Sequence, residues 1–476
     1  MSAQTSTEFF PKGPKLPREL FDMIIDQSRD NKPSLQELSL VSKAFCRRAR
    51  LHLFRSIEVT CAETSGEPYQ YEHFEEDDAY NQSLQDKYLT INEFVGLCES
   101  PHSTWEPGVI KRLELFPCLS DAYSHLLLLT ASNNPKRLLD PIATILKINR
   151  TRDIFQSVTS LQLIFGDAED WYRIPPYRFI STTFPSIRCL SLKSVRFASI
   201  EDLWDIFLSM PLLEEFEWIG GESTYWSPPA TLANTGQQLP NLRSFSFQGD
   251  DNIRLGDLMP VLSALPKSHL SRYELCLAGR SDFPPISTLM TMAGSDGPVK
   301  QQWSFKFSPN KSRYTGYDLR NSEHRDHIVE HLCSSWNSRM SQLTFANETG
   351  WVLVPEVLER MSSSNSNLES IILPPFMVDK SSGKSSRLSE LKRIDKILDH
   401  DAFSCLQELH LHSIRYPGSD GKPSALAKPP RNKKTRSARW GKYERVLKNI
   451  ERRCVPRAVK KGIWKLHTTG KEWYED

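Results

Sequence analysis

The chain has 476 residues, beyond the size one compact core usually serves, so a small module joined to a longer body is expected. A hydrophobic share of 39% and a charged share of 25% fit a folded chain. The formal net charge of +2 excludes a global field that would draw the whole molecule onto nucleic acid or membrane.

The first ten residues carry neither a basic stretch nor an apolar run, so no export signal is read there. The expectation is a chain of the cytoplasm and/or nucleus with reduced cysteines. The nine cysteines stand far apart and form no C-x-x-C pair, which argues against a thiolate zinc site. Leu126 to Leu129 is the most apolar run and is far too short to cross a bilayer.

Residues 16–27 read LPRELFDMIIDQ. Pro17 suits a first helical turn, and Leu20, Ile24 and Gln27 follow at helical spacing with Phe21 and Ile25 beside them. Asn31-Lys32-Pro33-Ser34 breaks this helix, and Ser34 is the expected cap of the next. Leu35, Leu38, Val41, Phe45, Ala49 and Leu53 then recur in steps of three and four, predicting amphipathic helix divided near Ser42. A block this short buries too little to be robust alone, so a permanent partner is its natural complement.

The ordered series LPRELFDMIIDQ…LQELSLVSKAFCRRARLHLFRSIEV resembles an F-box, in the version common among fungal proteins. The matching residues are Leu16-Pro17 with Glu19-Leu20, Leu40-Val41-Ser42-Lys43, and Leu53-Phe54-Arg55 before Ile57-Glu58-Val59. Phe45 stands where many F-boxes carry tryptophan, and Ser42 where cysteine is frequent. The resemblance implies a helical trio docking on a Skp-type adaptor and, through it, on a cullin complex. It implies that Leu16, Pro17, Leu20, Ile24, Leu40, Val41 and Lys43 lie at or near that interface. The plainer reading is a helical cap that starts the body and binds nothing.

Residues 59–105 are poorly patterned, with an acidic run Glu75-Glu76-Asp77-Asp78 and a connecting helix expected from Leu84 to Leu97. Beyond them the pattern apolar-x-x-apolar-x-apolar returns at Ile110/Leu113/Leu115, Val158/Leu161/Leu163, Ile187/Leu190/Leu192, Leu213/Phe216/Trp218, Leu242/Phe245/Phe247 and Leu270/Tyr273/Leu275. Later copies are Met340/Leu343/Phe345, Leu368/Ile371/Leu373 and Leu406/Leu409/Leu411. From Leu161 the middle positions step by about 29, 26, 29 and 28 residues, the upper end of the leucine-rich-repeat range. The gap from Tyr273 to Leu343 leaves room for a degraded copy at Trp303 to Phe307. Between copies, Ile200/Leu203/Phe207/Met210, Leu255/Leu258/Leu262/Leu265 and Val329/Leu332/Trp336/Met340 run at helical spacing. Such units resemble a leucine-rich-repeat solenoid with a parallel sheet. The asparagine or cysteine that usually follows the third apolar position by three is mostly missing, so the body is leucine-rich-repeat-like; a generic α/β domain is the alternative.

After Arg415 the repeat pattern stops, and Pro417 to Pro430 reads as a linker to a basic cluster, Arg431, Lys433, Lys434, Arg436 and Arg439. This is read as a solvated tail; an import signal is the other reading, and no nucleic-acid-binding motif is recognised. His327-Ile328-Val329-Glu330-His331 has the spacing of an inverted zinc-protease motif but lies in a helix slot of the repeats without an evident third ligand, so no metal is assigned. Gly383-Lys384-Ser385 lacks the earlier glycine of a phosphate loop, and no cofactor is assigned. Tyr225, Trp226 and Trp351 are candidate surface anchors.

The expectation is therefore an α/β chain: an N-terminus without fold (1–13), an F-box helical module (14–58), a connection (59–105), a leucine-rich-repeat-like solenoid of parallel strands and helices (106–415) and a basic tail (416–476). Its expected function is non-catalytic, with no residue acting as nucleophile or base. It would bring an unknown protein substrate to an SCF-type cullin–RING ubiquitin ligase. The rival is a repeat scaffold that binds protein or nucleic acid without a ubiquitin role.

Overall fold

The computed structural model describes residues 17–60, 89–90, 93–94, 96, 109–116, 155–164, 177–193, 195, 197, 199–219, 242–248, 254–266, 269–277, 282–295, 300–307, 319, 321–334, 339–362, 367–378, 387–415 and 447–469. They fall into two units, one of residues 1–162 with 183–186, the other of residues 163–182 with 187–476.

The first unit opens with three helices, α1 (Arg18–Gln27), α2 (Lys32–Val41) and α3 (Lys43–Leu53). Pro17 precedes α1 as its N-cap residue. Asn31, not the expected Ser34, caps α2: the Ser34 N–H donates to Asn31 Oδ1 at 3.1 Å. Ser42 stands in extended backbone at the predicted division, ending α2 and capping α3 through the Phe45 N–H at 3.3 Å. The core of this trio is small: Ile25, Leu35 and Ala49, with Leu38, Phe45 and Leu53 packed around them. Phe21 and Phe45 meet at 4.9 Å between ring centroids.

The chain then enters β1 (Ser56–Thr60), which pairs in parallel with β3 (Arg112–Phe116) on one side and β2 (Leu89–Thr90) on the other. Leu89–Thr90 is thus strand where helix was expected. β4 (Ser160–Ile164) lies beside β3.

The second unit is a succession of strands and helices. Its strands are β5 (Cys189–Lys193), β6 (Glu215–Ile219), β7 (Ser244–Gln248), β8 (Arg272–Leu277), β9 (Gln301–Phe307), β10 (Met340–Phe345), β11 (Ser370–Val378), β12 (Glu408–Arg415) and β13 (Trp464–Thr469). A short helix, α4 (Tyr177–Thr183), precedes β5. The helices between strands are α5 (Ile200–Ser209), α6 (Leu255–Ala264), α7 (Phe283–Ser295), α8 (Ser322–Ser334), α9 (Val354–Met361), α10 (Leu388–Ile397) and α11 (Pro456–Lys460). From β6 to β13 each strand pairs in parallel with the one before it. That order differs from a doubly wound sheet, where the strand sequence reverses.

The recurring apolar pattern explains the stacking. Its middle positions align in one column, Leu190, Phe216, Phe245, Tyr273, Trp303, Leu343, Ile371 and Leu409, each the register partner of the next. Every one is buried. Trp303, from the copy read as degraded, lies flat on Tyr273 with centroids 4.1 Å apart. Because strand side chains alternate, the residues between these form a second row on the opposite face: Ser191, Glu217, Ser246, Glu274, Ser304, Thr344, Ile372 and His410. The apolar sides of α5 and α6, including Leu203, Phe207, Leu258 and Leu262, are buried as the helical spacing requires. The α8 pattern runs one turn too far, since α8 ends at Ser334 and Met340 opens β10.

The sheet continues past Arg415, where the repeat pattern stops. Residues 447–453 are helical and α11 follows. Gly462, at φ 73°, lets the chain leave α11 with left-handed backbone. The chain then enters β13 beside β12, with Trp464 next to Leu409 and Leu466 next to Leu411.

Candidate docking surface

In the helical trio the apolar residues divide between a small interior and an exposed exterior. α1 turns Ile25 inward, 1% exposed. The same helix carries Leu20 (41% exposed), Met23 (57%) and Ile24 (48%) outward, at the i, i+3, i+4 spacing that makes one helix stripe. At the end of α2, Leu40 (87%) and Val41 (65%) are exposed. Among the described residues only Leu212 and Val459 are other large hydrophobics exposed to this degree. Five of the seven therefore lie between Leu20 and Val41, a concentration of the kind that marks a candidate interaction surface.

Of the residues named from the sequence, Leu20, Ile24, Leu40 and Val41 contribute this exposed apolar surface. Pro17 is exposed at the start of α1, its carbonyl accepting from the Leu20 N–H at 3.1 Å. Lys43 is the first residue of α3, and Leu16 lies outside the described residues. Met23 was not singled out, although its place three residues after Leu20 signals the same stripe.

A polar network ties α1 to α3. Arg48 Nε and Nη2 donate to the two oxygens of Asp26 at 2.7 and 2.6 Å, and His52 Nε2 lies 2.8 Å from Asp26 Oδ1. The Arg48 bonds, and then His52, hold the Asp26 carboxyl well below the usual carboxylate range. Nothing in the sequence announces this group, because its members stand 22 and 26 residues apart. It joins α1, which carries the Leu20 stripe, to α3.

The polar row of the second unit is its other candidate surface. Ser191 donates to Glu217, Lys306 Nζ donates to Gln248 at 2.8 Å, and Arg272 pairs with Glu274. This row offers hydroxyl, amide and paired ionic groups, the makings of a polar protein-binding face. Trp351, read as a surface anchor, is instead fully buried: it donates Nε1–H to the Pro375 carbonyl at 3.0 Å and packs edge-on to Phe376. Tyr225 and Trp226 lie outside the described residues, as do Gly383-Lys384-Ser385 and the basic cluster.

His327 and His331 do come together on α8, with ring centroids 4.5 Å apart. Burial first, and then His327, keeps His331 below its ordinary value. Among the described residues no group of three or more His, Cys, Asp or Glu is placed to hold a metal ion. Burial pushes the thiols of Cys276 and Cys333 up to about 11 and about 12, so neither supplies a thiolate at neutral pH. Among the described residues no helix is long and apolar enough to cross a membrane.

No protein-family model matches this chain, and no curated protein matches it.

Proposed function

We propose that this chain is a substrate-recognition subunit of an SCF-type cullin–RING ubiquitin ligase, working in the cytoplasm or nucleus. In this reading residues 14–58 are an F-box that docks on a Skp-type adaptor. The strand–helix succession is a leucine-rich-repeat-like solenoid that holds a protein substrate, its polar row a candidate contact face. The observation that carries the reading is the outward display of Leu20, Ile24, Leu40 and Val41 beside an interior with three fully buried side chains among the described residues. Covering a Leu or Val side chain stabilises a complex by on the order of 1–2 kcal/mol, so a partner over both helix edges gains several such increments.

The work of such a subunit is recruitment. Holding substrate and adaptor on one chain turns an encounter in solution into a local one and raises the effective concentration of a substrate lysine near the loaded conjugating enzyme. No residue of this chain has to enter the chemistry.

The test is capture of a Skp-type adaptor by the full-length chain, compared with Leu20→Asp and Val41→Asp singly and together. These side chains are exposed, so the folded state should change by less than about 0.5 kcal/mol while capture falls at least tenfold for each and is lost in the double variant. Equal capture by wild type and double variant removes the F-box reading. Absence of capture by the wild type leaves a repeat scaffold without a ubiquitin role.

A further inference from the structure

Three histidines converge where β13 joins β12. His410 Nδ1 lies 2.7 Å from His467 Nε2, and His410 Nε2 lies 2.9 Å from Glu408 Oε2. The His410 and His467 planes are within 14° of parallel with centroids 5.0 Å apart, the geometry of an in-plane N–H···N bond. His412 stacks on His467 with centroids 4.7 Å apart. We propose that Glu408, His410, His412 and His467 form a proton-operated catch, which holds the terminal strand β13 on the sheet at neutral pH and loosens it on acidification.

The neutral state satisfies every close contact. The Glu408 carboxylate accepts from His410 Nε2–H, which leaves His410 Nδ1 as acceptor for His467 Nε2–H. A first added proton is accommodated along this line, because a charged His410 donates both to Glu408 and to a tautomerised His467. Further protons have no such place. They put positive charge on neighbouring rings about 5 Å apart, and Lys465 adds a cation from the adjacent register position. Glu408 is the carboxylate bonded to the group, and Glu451 accepts from the Trp464 indole N–H at 3.3 Å. From β11 the facing register partners are Ser370 and Ile372, neither of which titrates. Asp395 and Asp399 engage Arg457, Ala458 and Lys461 around α11, a contact separate from the histidine rings.

The direction follows from linkage. Burial, then His467 and His410, keep His412 below its ordinary value. Its neutral form costs nothing above about pH 6.5. Below that, the released strand binds more protons than the docked one, so docking weakens as pH falls. β13 ends the strand order and is held by a ladder on one side, so a modest repulsion is felt there first. His410 Nδ1 and His467 Nε2 are taken up by each other at 2.7 Å, and among the described residues no group of three or more His, Cys, Asp or Glu is placed to hold a metal ion.

Hydrogen exchange of the full-length chain, with chelator present and rates corrected for intrinsic pH dependence, tests this at pH 7.5 and 5.5. Protection of 464–469 should fall by about tenfold relative to that of 340–345, a like-charge effect of the size expected near a surface. His467→Gln keeps a neutral partner for His410, and His412→Asn removes the stacked charge; each should abolish most of the relative loss. Unchanged relative protection in the wild type overturns the proposal. So does a loss of the same size in both variants. If His467→Gln already undocks β13 at pH 7.5, the His412→Asn result decides.

Discussion

Asp26 is the carboxylate that joins α1, which carries the Leu20 stripe, to α3. It accepts two bonds from Arg48 and lies against His52, and its side chain is 40% exposed. Charge-assisted pairs of this kind are strong when dry, but partial exposure screens them, so the network contributes about 1 kcal/mol. Asp26→Asn should therefore speed hydrogen exchange in α1 by about fivefold at pH 7. The hydrogen bonds that depress the carboxyl favour its charged form. The stabilisation is thus complete above about pH 4 and fades as pH falls toward the folded value. The difference between wild type and Asp26→Asn should shrink below pH 4 and vanish in strong acid. A difference that persists there would mean that the substitution acts through packing.

Among the elements, the strands were the most legible and the turns the least. The middle and last positions of all nine apolar triplets read from the sequence sit on strands, because alternation at a fixed period reports burial directly. The second face of the sheet follows from the first by parity. The helix edges of the trio were legible as apolar residues at helical spacing, while their exposure depended on which residues the small core had room for. What could not be read was how each turn is held. The search for asparagine three positions past the third apolar residue failed because the bonds are made elsewhere. Asn347, only two past Phe345, accepts from the Phe307 N–H at 3.0 Å and donates to the Phe307 carbonyl. In an earlier copy Trp218 donates its indole N–H to the Val195 carbonyl at 3.1 Å, a tryptophan serving where asparagine was sought. β13 was invisible for a related reason: it is delivered by α11 and Gly462, after a linker that broke the period. Asn347→Ala leaves the Phe307 N–H without its acceptor, while the Phe307 carbonyl still accepts from Thr349 Oγ1 at 2.6 Å, which should cost about 1 kcal/mol. The loss should appear as exchange at the ends of β9 and β10, with β6 and β7 unaffected; equal loss in all four strands would contradict this local account.

At the scale of the second unit, the sequential pairing from β5 to β13 means that each strand–helix unit rests on its immediate neighbours. Stability in such an arrangement is a sum of unit terms and interface terms, and damage spreads only as far as the interfaces carry it. Trp303 is the best place to test this. It is buried, lies flat on Tyr273 at 4.1 Å and is the register partner of Leu343 on the other side. Trp303→Ala removes a side chain whose loss costs about 3–5 kcal/mol in a packed core. In a stack, the loss should be borne by β8, β9 and β10, whose amides should lose protection by a factor of a hundred or more. β5 and β6 on one side and β12 on the other should keep most of theirs, because no contact of Trp303 reaches them directly. Were the unit instead one cooperative globule, the same substitution would lower protection in all nine strands together. The distinction bears on the proposed function, since a locally yielding stack could adjust its polar row to a protein substrate without unfolding the remainder.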